Sequence, residues 1–374
     1  MRVIADNDAI KIAGAGPAGL TAAIVLARAG RRVLVYERAQ EVGSRHAGDL
    51  ESVENWTTPV DLRDELAEWG LATNFDCAPI YCLTCFGPGF RTAARIEDRE
   101  PIFYVISRGP HERSLDAGLL AQASAAGVQI AFNSAARPEQ VDIIATGLAR
   151  ARMFALGYTF RTNAPDGCYV CLDDALTPHV YSYLIFSRGY GTVGAGALAG
   201  QPNMRQTLER VVAGFRAHVR FDMHTPRYFA GPGIFGLPQT AQQRGKLYVG
   251  EAAEMQDAFF SFGLRMSMTT GWLAARSILS GTDYDLLWRN RLQPMLRATA
   301  VNRYLQQRTG HLGYRLLVYY MRLHPRAGRA LLARHYRPLW YTPLIWPLAR
   351  RSMGKEIQAS ARRQVSTALD NIEL

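Results

Sequence analysis

The sequence lacks several features that would move it out of the ordinary globular class. No apolar stretch reaches the ~18 residues that a bilayer-spanning helix requires, so a membrane-spanning chain is not expected. The start, Met1-Arg-Val-Ile-Ala-Asp-Asn-Asp8, carries charges where the apolar core of a secretory signal would begin, and a cytoplasmic protein is expected. Charged residues at 20% and hydrophobic residues at 48% leave no room for extensive disorder. Cysteines are few: Cys77, Cys82, Cys85, Cys168 and Cys171. They form C-x-x-C twice, a spacing that four-thiolate zinc sites use. The surroundings lack glycine-rich knuckles and read as β-strands, so buried structural thiols are expected and no metal.

Acidic residues are scarce in one segment. From Arg289 to Arg363 there are 16 Lys plus Arg against the single acid Glu356, a charge of +15, so the rest of the +11 chain carries −4. Tyr314, Tyr319, Tyr320, Trp340, Tyr341 and Trp346 are interleaved with these cations. Basic residues among amphipathic rings suit an anionic membrane surface, and a peripheral attachment through residues 289–363 is one expectation. A solvated helical tail packed on the body is the other. No nucleic-acid module accompanies the charge, so no nucleic-acid partner is expected. Oligomeric state is not legible.

At 374 residues the chain exceeds what one core usually organises, and two packed lobes are expected. The richest stretch is Ile10-Lys-Ile-Ala-Gly14-Ala-Gly16-Pro17-Ala18-Gly19, an apolar run emptying into G-x-G-x-x-G. A helix pattern over Pro17 to Ala29 follows, then a Gly30 stop, the apolar run Arg32-Val-Leu-Val-Tyr, and the acid Glu37 with Arg38 after it. This is the order of a dinucleotide-binding βαβ unit. Gly14 permits the tight turn, Gly16 lets backbone N–H groups approach a pyrophosphate, and Gly19 lets helix pack on strand. Glu37 can accept from a ribose hydroxyl.

Further along, the loop Gly43-Ser-Arg45-His46 can lay the Arg45 guanidinium beside a flavin or its phosphates. His46, without a visible partner, is read as structural. Asp61 to Leu71 and Leu115 to Ala126 have helical patterns, and strands are expected across Cys77 to Ile106 and at Gly127 to Phe132. Val141 to Thr146-Gly147 is an apolar strand opening into a second backbone approach to the cofactor. β-formers dominate Tyr158 to Ala197, an expected antiparallel wall of a substrate chamber. Gly194 to Gly200 is rejected as a second nucleotide fingerprint, because no strand-plus-acid unit follows it and the next helix, Met204 to Arg216, starts after a break. Finally, Val249-Gly250-Glu251-Ala-Ala places a carboxylate at a strand end, and Phe262-Gly263-Leu-Arg opens a long apolar helix whose N-terminus can face a reduced isoalloxazine.

These blocks in this order resemble the FAD-dependent aromatic-ring hydroxylase (group A flavoprotein) superfamily, and within it the geranylgeranyl reductase branch. The likeness rests on Gly14-Ala-Gly-Pro-Ala-Gly19, Glu37, Val249-Gly-Glu-Ala-Ala and Phe262-Gly-Leu-Arg, and covers residues 8 to 280. It implies an α/β fold with a Rossmann-like FAD-binding parallel sheet, an antiparallel β-sheet substrate domain and a helical C-terminal tail. The FAD domain would comprise 1–75, 107–157 and 240–285, the substrate domain 76–106 and 158–239, and the basic helical region 286–374. Arg108 lies where these proteins place an arginine on the FAD phosphates, with Arg113 as its rival. Trp56, Tyr181, Tyr183 and Phe260 would line the substrate chamber.

The implied activity is hydride transfer from flavin N5 to a carbon–carbon double bond of an apolar substrate, isoprenoid or lipid-like. NAD(P)H or another transient reductant would supply electrons. The branch's aromatic Y-x-W-x-F-P strand is matched only loosely by Tyr181-Ser-Tyr183-Leu-Ile-Phe186. The alternatives are a monooxygenase (hydroxylase or epoxidase) acting through a C4a-hydroperoxide, and a non-catalytic flavin-binding membrane-associated protein. A halogenase is disfavoured, since W-x-W-x-I-P is missing.

Overall fold

The computed structural model describes residues 9–46, 48–148, 152–198 and 203–370. The N-terminal residues weighed above as a signal, and Gly200, lie outside them. A six-stranded sheet holds the first lobe, in the order β15 (Gln242–Gln243), β16 (Lys246–Tyr248), β9 (Ile143–Ile144), β1 (Ile10–Ala13), β2 (Val33–Tyr36) and β8 (Gln129–Ala131). β1 is central. It pairs in parallel with β2, Ile10 opposite Val33, and with β9, Ile12 opposite Ile143. An apolar strand between two parallel neighbours is covered on both faces, which is why this run reads as continuously hydrophobic.

Helix α1 (Pro17–Arg28) begins where the sequence pattern places it. Pro17 starts it with a preset φ and no N–H to satisfy, and Gly16 caps it in an extended conformation. Its own Leu20, Ile24 and Leu26 are fully buried. Helix α5 (Leu264–Ser280) crosses α1 at near backbone contact, since a Cβ on Gly271 would lie 2.1 Å from the Ala18 carbonyl oxygen. α2 (Leu62–Glu68) and α3 (Leu115–Ala125) complete the lobe, each capped by a side chain, Asp61 and Ser114.

The second lobe is built on a seven-stranded sheet ordered β14 (His224–Gly233), β10 (Met153–Arg161), β13 (Tyr190–Leu198), β12 (Ser182–Ser187), β11 (Gly167–Cys171), β5 (Cys82–Phe86) and β6 (Ala93–Glu97). It is antiparallel except where β11 and β5 run in parallel, Tyr169 opposite Thr84 and Cys171 opposite Phe86. A small sheet of β3 (Leu50–Glu54), β7 (Phe103–Ser107) and β4 (Cys77–Ile80) bridges the lobes. The stretch 76–106 is therefore shared between two sheets, and one strand of the large sheet, β10, begins at Met153, inside 107–157. Helix α4 (Met204–Arg216) covers one face of the large sheet, burying Val211 and Phe215 against Phe86 and Phe186.

The C-terminal region is helical: α6 (Tyr284–Arg291) packs into the first lobe, while the second half of α7 (Gln293–Leu323) and α8 (Gly328–His335) pack on the large sheet, and α9 (Thr342–Asp370) lies against α7. α7 breaks at Gly310, where φ is 50° and ψ −136°. Beyond the break Tyr314, Val318 and Met321, spaced as one helical stripe, pack with Leu332 and Tyr336 on Cys85, Ile96 and Cys168. The region is thus partly a wall of the second lobe. Among the described residues, no helix is long and apolar enough to cross a membrane.

Candidate functional site

A single cavity of about 640 Å³ runs from the β1–α1 turn into the face of the large sheet, a volume within the ordinary range for cofactor and ligand sites. The expected cofactor residues Gly14, Gly16, Pro17, Ala18, Glu37, Arg38, Arg45, Arg108, Thr146, Gly147, Gly250, Glu251, Phe262 and Gly263 all line it. So do the expected substrate residues Trp56, Tyr181, Tyr183 and Phe260. Gly19 does not, and its place is structural: a Cβ there would sit 2.0 Å from the Gly14 carbonyl oxygen. Gly14 adopts φ +102° with a would-be Cβ 2.3 Å from the Ala145 oxygen, so no other residue fits the turn. At Gly16, by contrast, a Cβ would meet nothing within 4 Å. That open space is the cavity itself.

Two helix N-termini face this space. α1 starts at Pro17 and α5 at Leu264, neither has a side-chain cap, and neither has an acid in its first turn. Their free N–H groups and positive dipole ends are available to anionic groups in the cavity. Glu37 sits just past β2, its carboxylate accepting from the N–H of Ala15 at 2.7 Å and of Ala39 at 2.8 Å, with lone pairs to spare. Glu251 is held by the strand end at Tyr248 and by Gly250, whose N–H donates to Thr270 Oγ1 at 2.8 Å. Burial and the Glu51 charge raise the Glu251 carboxyl to about 7. A carboxyl in that state can accept from, or donate to, a polyol hydroxyl.

Arg108 is buried at the cavity floor with a different arrangement from a free phosphate clamp. Its guanidinium donates through Nε and Nη2 to Asp116 at 2.8 and 3.0 Å, and through Nη1 to Glu51 at 2.9 Å. Arg113 lies outside the cavity lining and is paired with Asp76 at the surface. Near Arg108 stand His46, Asp49 and Glu51, the one group of His, Cys, Asp and Glu among the described residues close enough to share an ion. The chemistry of the set disfavours a metal there. Glu51 is already engaged by the Arg108 cation, whose charge opposes a second cation beside it, and loss of water with the Glu51 charge pushes the Asp49 carboxyl well up, toward the protonated form that does not ligate.

The inner half of the cavity is an apolar chamber. Leu83, Cys85, Phe103, Cys168, Leu172 and Ile185 line it from the sheets, and Met321 and Leu332 from the C-terminal helices. Trp56 makes edge contacts with Phe103 and Phe262. Tyr181 donates its hydroxyl to the Phe260 carbonyl at 2.8 Å, fixing the loop that carries Phe260. Asp257 fixes the same loop, accepting from the N–H groups of Phe259 and Phe260 and from the Tyr336 hydroxyl at 2.7 Å. Enclosure keeps the Tyr181 and Tyr183 hydroxyls protonated well above the usual phenol range.

The two C-x-x-C motifs lie side by side on β5 and β11, and all five thiols are free. Burial raises Cys77 to about 11 and Cys85 to about 12, and Cys168 and Cys171 further, so these thiols stand protonated, and among the described residues no three of the cysteines lie close enough to share an ion. Sequence reasoning did not find Arg265 as an anchor. It is buried and donates to Glu65 at 2.7 Å, to Thr58 and the Val60 carbonyl at 2.8 Å, and to the Glu54 carbonyl at 3.1 Å, tying α5 to the segment beside Trp56. An arginine one residue into an apolar helix is the sequence signal that could have shown it.

Residues 12–65 match the NAD(P)-binding Rossmann-like domain family. No curated protein matches the chain. Among solved structures, the chain is similar to a geranylgeranyl bacteriochlorophyll reductase-like protein from Thermoplasma acidophilum, with 18% identity, TM-score 0.68, and 91% of this chain and 98% of that one covered. It is also similar to the flavin-dependent brominase Bmp2 (15% identity, TM-score 0.62, 93% and 99% covered). A third is 2-methyl-3-hydroxypyridine-5-carboxylic acid oxygenase (16% identity, TM-score 0.54, 82% and 92% covered). The shared fold is an α/β one in which a Rossmann-like sheet is joined to an antiparallel sheet and C-terminal helices. It serves reductase-like, halogenating and oxygenating proteins alike.

Proposed function

We propose that this chain is an FAD-dependent oxidoreductase that reduces a carbon–carbon double bond of an apolar, isoprenoid- or lipid-like substrate, with NAD(P)H or another transient reductant as electron source. The observation that carries the reading is the continuity of the cavity: a half lined by Gly16, Glu37 and Glu251 opens directly into an apolar, aromatic half. FAD fits the residues present. Gly16 leaves the approach to a pyrophosphate clear, Glu37 has capacity for ribose hydroxyls, Glu251 for a ribitol, and the α5 N-terminus for a negatively charged ring. When bound, the flavin supplies hydride chemistry, and the protein supplies placement and exclusion of water.

Reducing an alkene needs a proton as well as a hydride. Tyr181 has its proton committed to the Phe260 carbonyl, and Tyr183, beside it in the chamber lining with its hydroxyl protonated, is the residue we assign to deliver a proton to the substrate carbon. Trp56, Phe260 and the apolar sheet face orient a chain-like substrate by shape. The solved structures similar to this one include an oxygenase and a brominase, which favours a monooxygenase as the second reading, since one cavity can serve either chemistry. Anaerobic turnover separates them: a reductase continues without oxygen, whereas a monooxygenase stops. A protein that binds flavin yet shows no flavin reduction with any donor would leave only a non-catalytic role.

A further inference from the structure

The C-terminal helices carry apolar surface that the fold does not use. Beyond the Gly310 break, the inner stripe of α7 (Tyr314, Val318, Met321) is buried against the chamber wall, while Leu312, Leu316, Tyr319 and Leu323 are each more than half exposed. Their spacing of four, three and four residues puts them on one helix face. Tyr320 extends the stripe, and Arg315 and Arg322 flank it in exposed positions. A second exposed set stands at the entry to α9, where Trp340, in the turn before the helix, is 80% exposed and Leu344 and Leu348 follow on the helix, with exposed Arg350 and Arg351 next along. Single exposed leucines are unremarkable, but exposed apolar sets on two helices of one segment are not.

We propose that these two sets form a docking surface for an anionic lipid leaflet, with α7 lying in the headgroup boundary and its outer leucines inserted. The charge selects this occupant. The segment from Arg289 to Arg363 carries +15 in sequence; Arg289, Arg291, Arg303 and Arg329 are paired with acids, while Arg315, Arg322, Arg350 and Arg351 stand exposed beside the two sets. A second copy of the chain would bring the same positive surface against itself, whereas a leaflet of anionic headgroups complements it. Tyr319, Tyr320 and Trp340 supply rings with an apolar body and a polar edge, the type that gathers at that boundary. No spanning is implied, since α7 lies along the surface while its other face walls the chamber. The proposal goes beyond the proposed reaction and is read without substrate or flavin reduction, so either can fail alone.

The test is co-sedimentation of the full-length protein with phosphatidylcholine vesicles and with phosphatidylcholine–phosphatidylglycerol vesicles across a salt series. Binding to the anionic vesicles, weakening with salt, is expected. Replacing both Arg315→Ser and Arg322→Ser should lower the partition coefficient on the order of 25-fold, from the contribution of a cation near such a surface. Leu316→Ser with Leu323→Ser, and independently Trp340→Ser with Leu344→Ser, should also lower it while leaving the circular dichroism spectrum unchanged. No binding, equal binding to neutral vesicles, or wild-type binding by all three variants would overturn the proposal. So would a dimer in sedimentation equilibrium that the Leu316→Ser, Leu323→Ser variant dissociates, because a second copy would then be the occupant.

Discussion

Gly16→Val offers a sharp separation between holding the fold and holding the cofactor. The backbone at Gly16 has φ −79° and ψ 179°, extended values open to any L-residue, and an added Cβ meets no atom within 4 Å. Folding stability should therefore change by no more than about 1 kcal/mol, the scale of helix-cap and glycine substitutions. The valine methyls would instead occupy the cavity and keep a pyrophosphate from the α1 N-terminus. Losing two charge-assisted hydrogen bonds there, each ~1.5–3 kcal/mol, removes ~3–6 kcal/mol of binding. That corresponds to roughly 10²- to 10⁴-fold in FAD affinity. The assay is visible absorbance for the flavin-to-protein ratio of purified protein, with thermal melting of the flavin-free form alongside. A yellow variant of wild-type affinity would refute the assignment of this turn, and a collapsed melting temperature would refute the geometry. Gly14→Val is the control, expected to fail at folding, since its φ of +102° and the Ala145 oxygen at 2.3 Å leave no room.

Other perturbations address the remaining parts of the site. Tyr183→Phe should lower kcat by about 10²-fold, the low end for a general acid, with flavin content unchanged; an unaltered kcat would remove Tyr183 from proton delivery. Arg265→Ala should destabilise the fold by ~3–5 kcal/mol in chemical denaturation, because it leaves buried Glu65 with only the partly exposed Arg291 as partner; a loss below 1 kcal/mol would contradict the anchoring role. Glu54 is buried with Oε2 unbonded, and loss of water raises its carboxyl from 4.5 to about 8. With the folded value above the unfolded one, the unfolded chain releases this proton first, so the group's contribution is intact below about pH 4.5 and is lost as pH rises toward 8. Glu54→Gln should flatten the fall of melting temperature between those limits, and parallel profiles for variant and wild type would show that Glu54 is not the titrating group.

What was legible in the sequence is what is local in the chain. The β1–α1–β2 unit could be read because its strand, turn, helix and acid follow one another within thirty residues, each with its own backbone requirement. Gly250-Glu251 and Phe262-Gly263 could be read for the same reason, as a strand end and a helix start. The Arg108 arrangement could not, since Glu51 and Asp116 come to it from a bridging strand and from α3. Nor could the way the two C-x-x-C motifs meet, since only the parallel pairing of β11 with β5, over eighty residues apart, sets them side by side. The basic helices were expected as an appendage, and their charge obscured the 314–318–321 stripe. That pattern was visible, but nothing in the sequence said which surface it meets.

The chamber draws its sheet walls from early and middle parts of the chain, and its closing wall from residues after Gly310. The nucleotide turn, Glu37 and Glu251 all come earlier. Exchanging Met321 or Leu332, which line the cavity, for smaller or larger side chains would therefore reshape the bore and its depth without touching any atom near the nucleotide turn. On the proposed reading, the fit of the substrate and the grip on the nucleotide are thus set by different stretches of the chain.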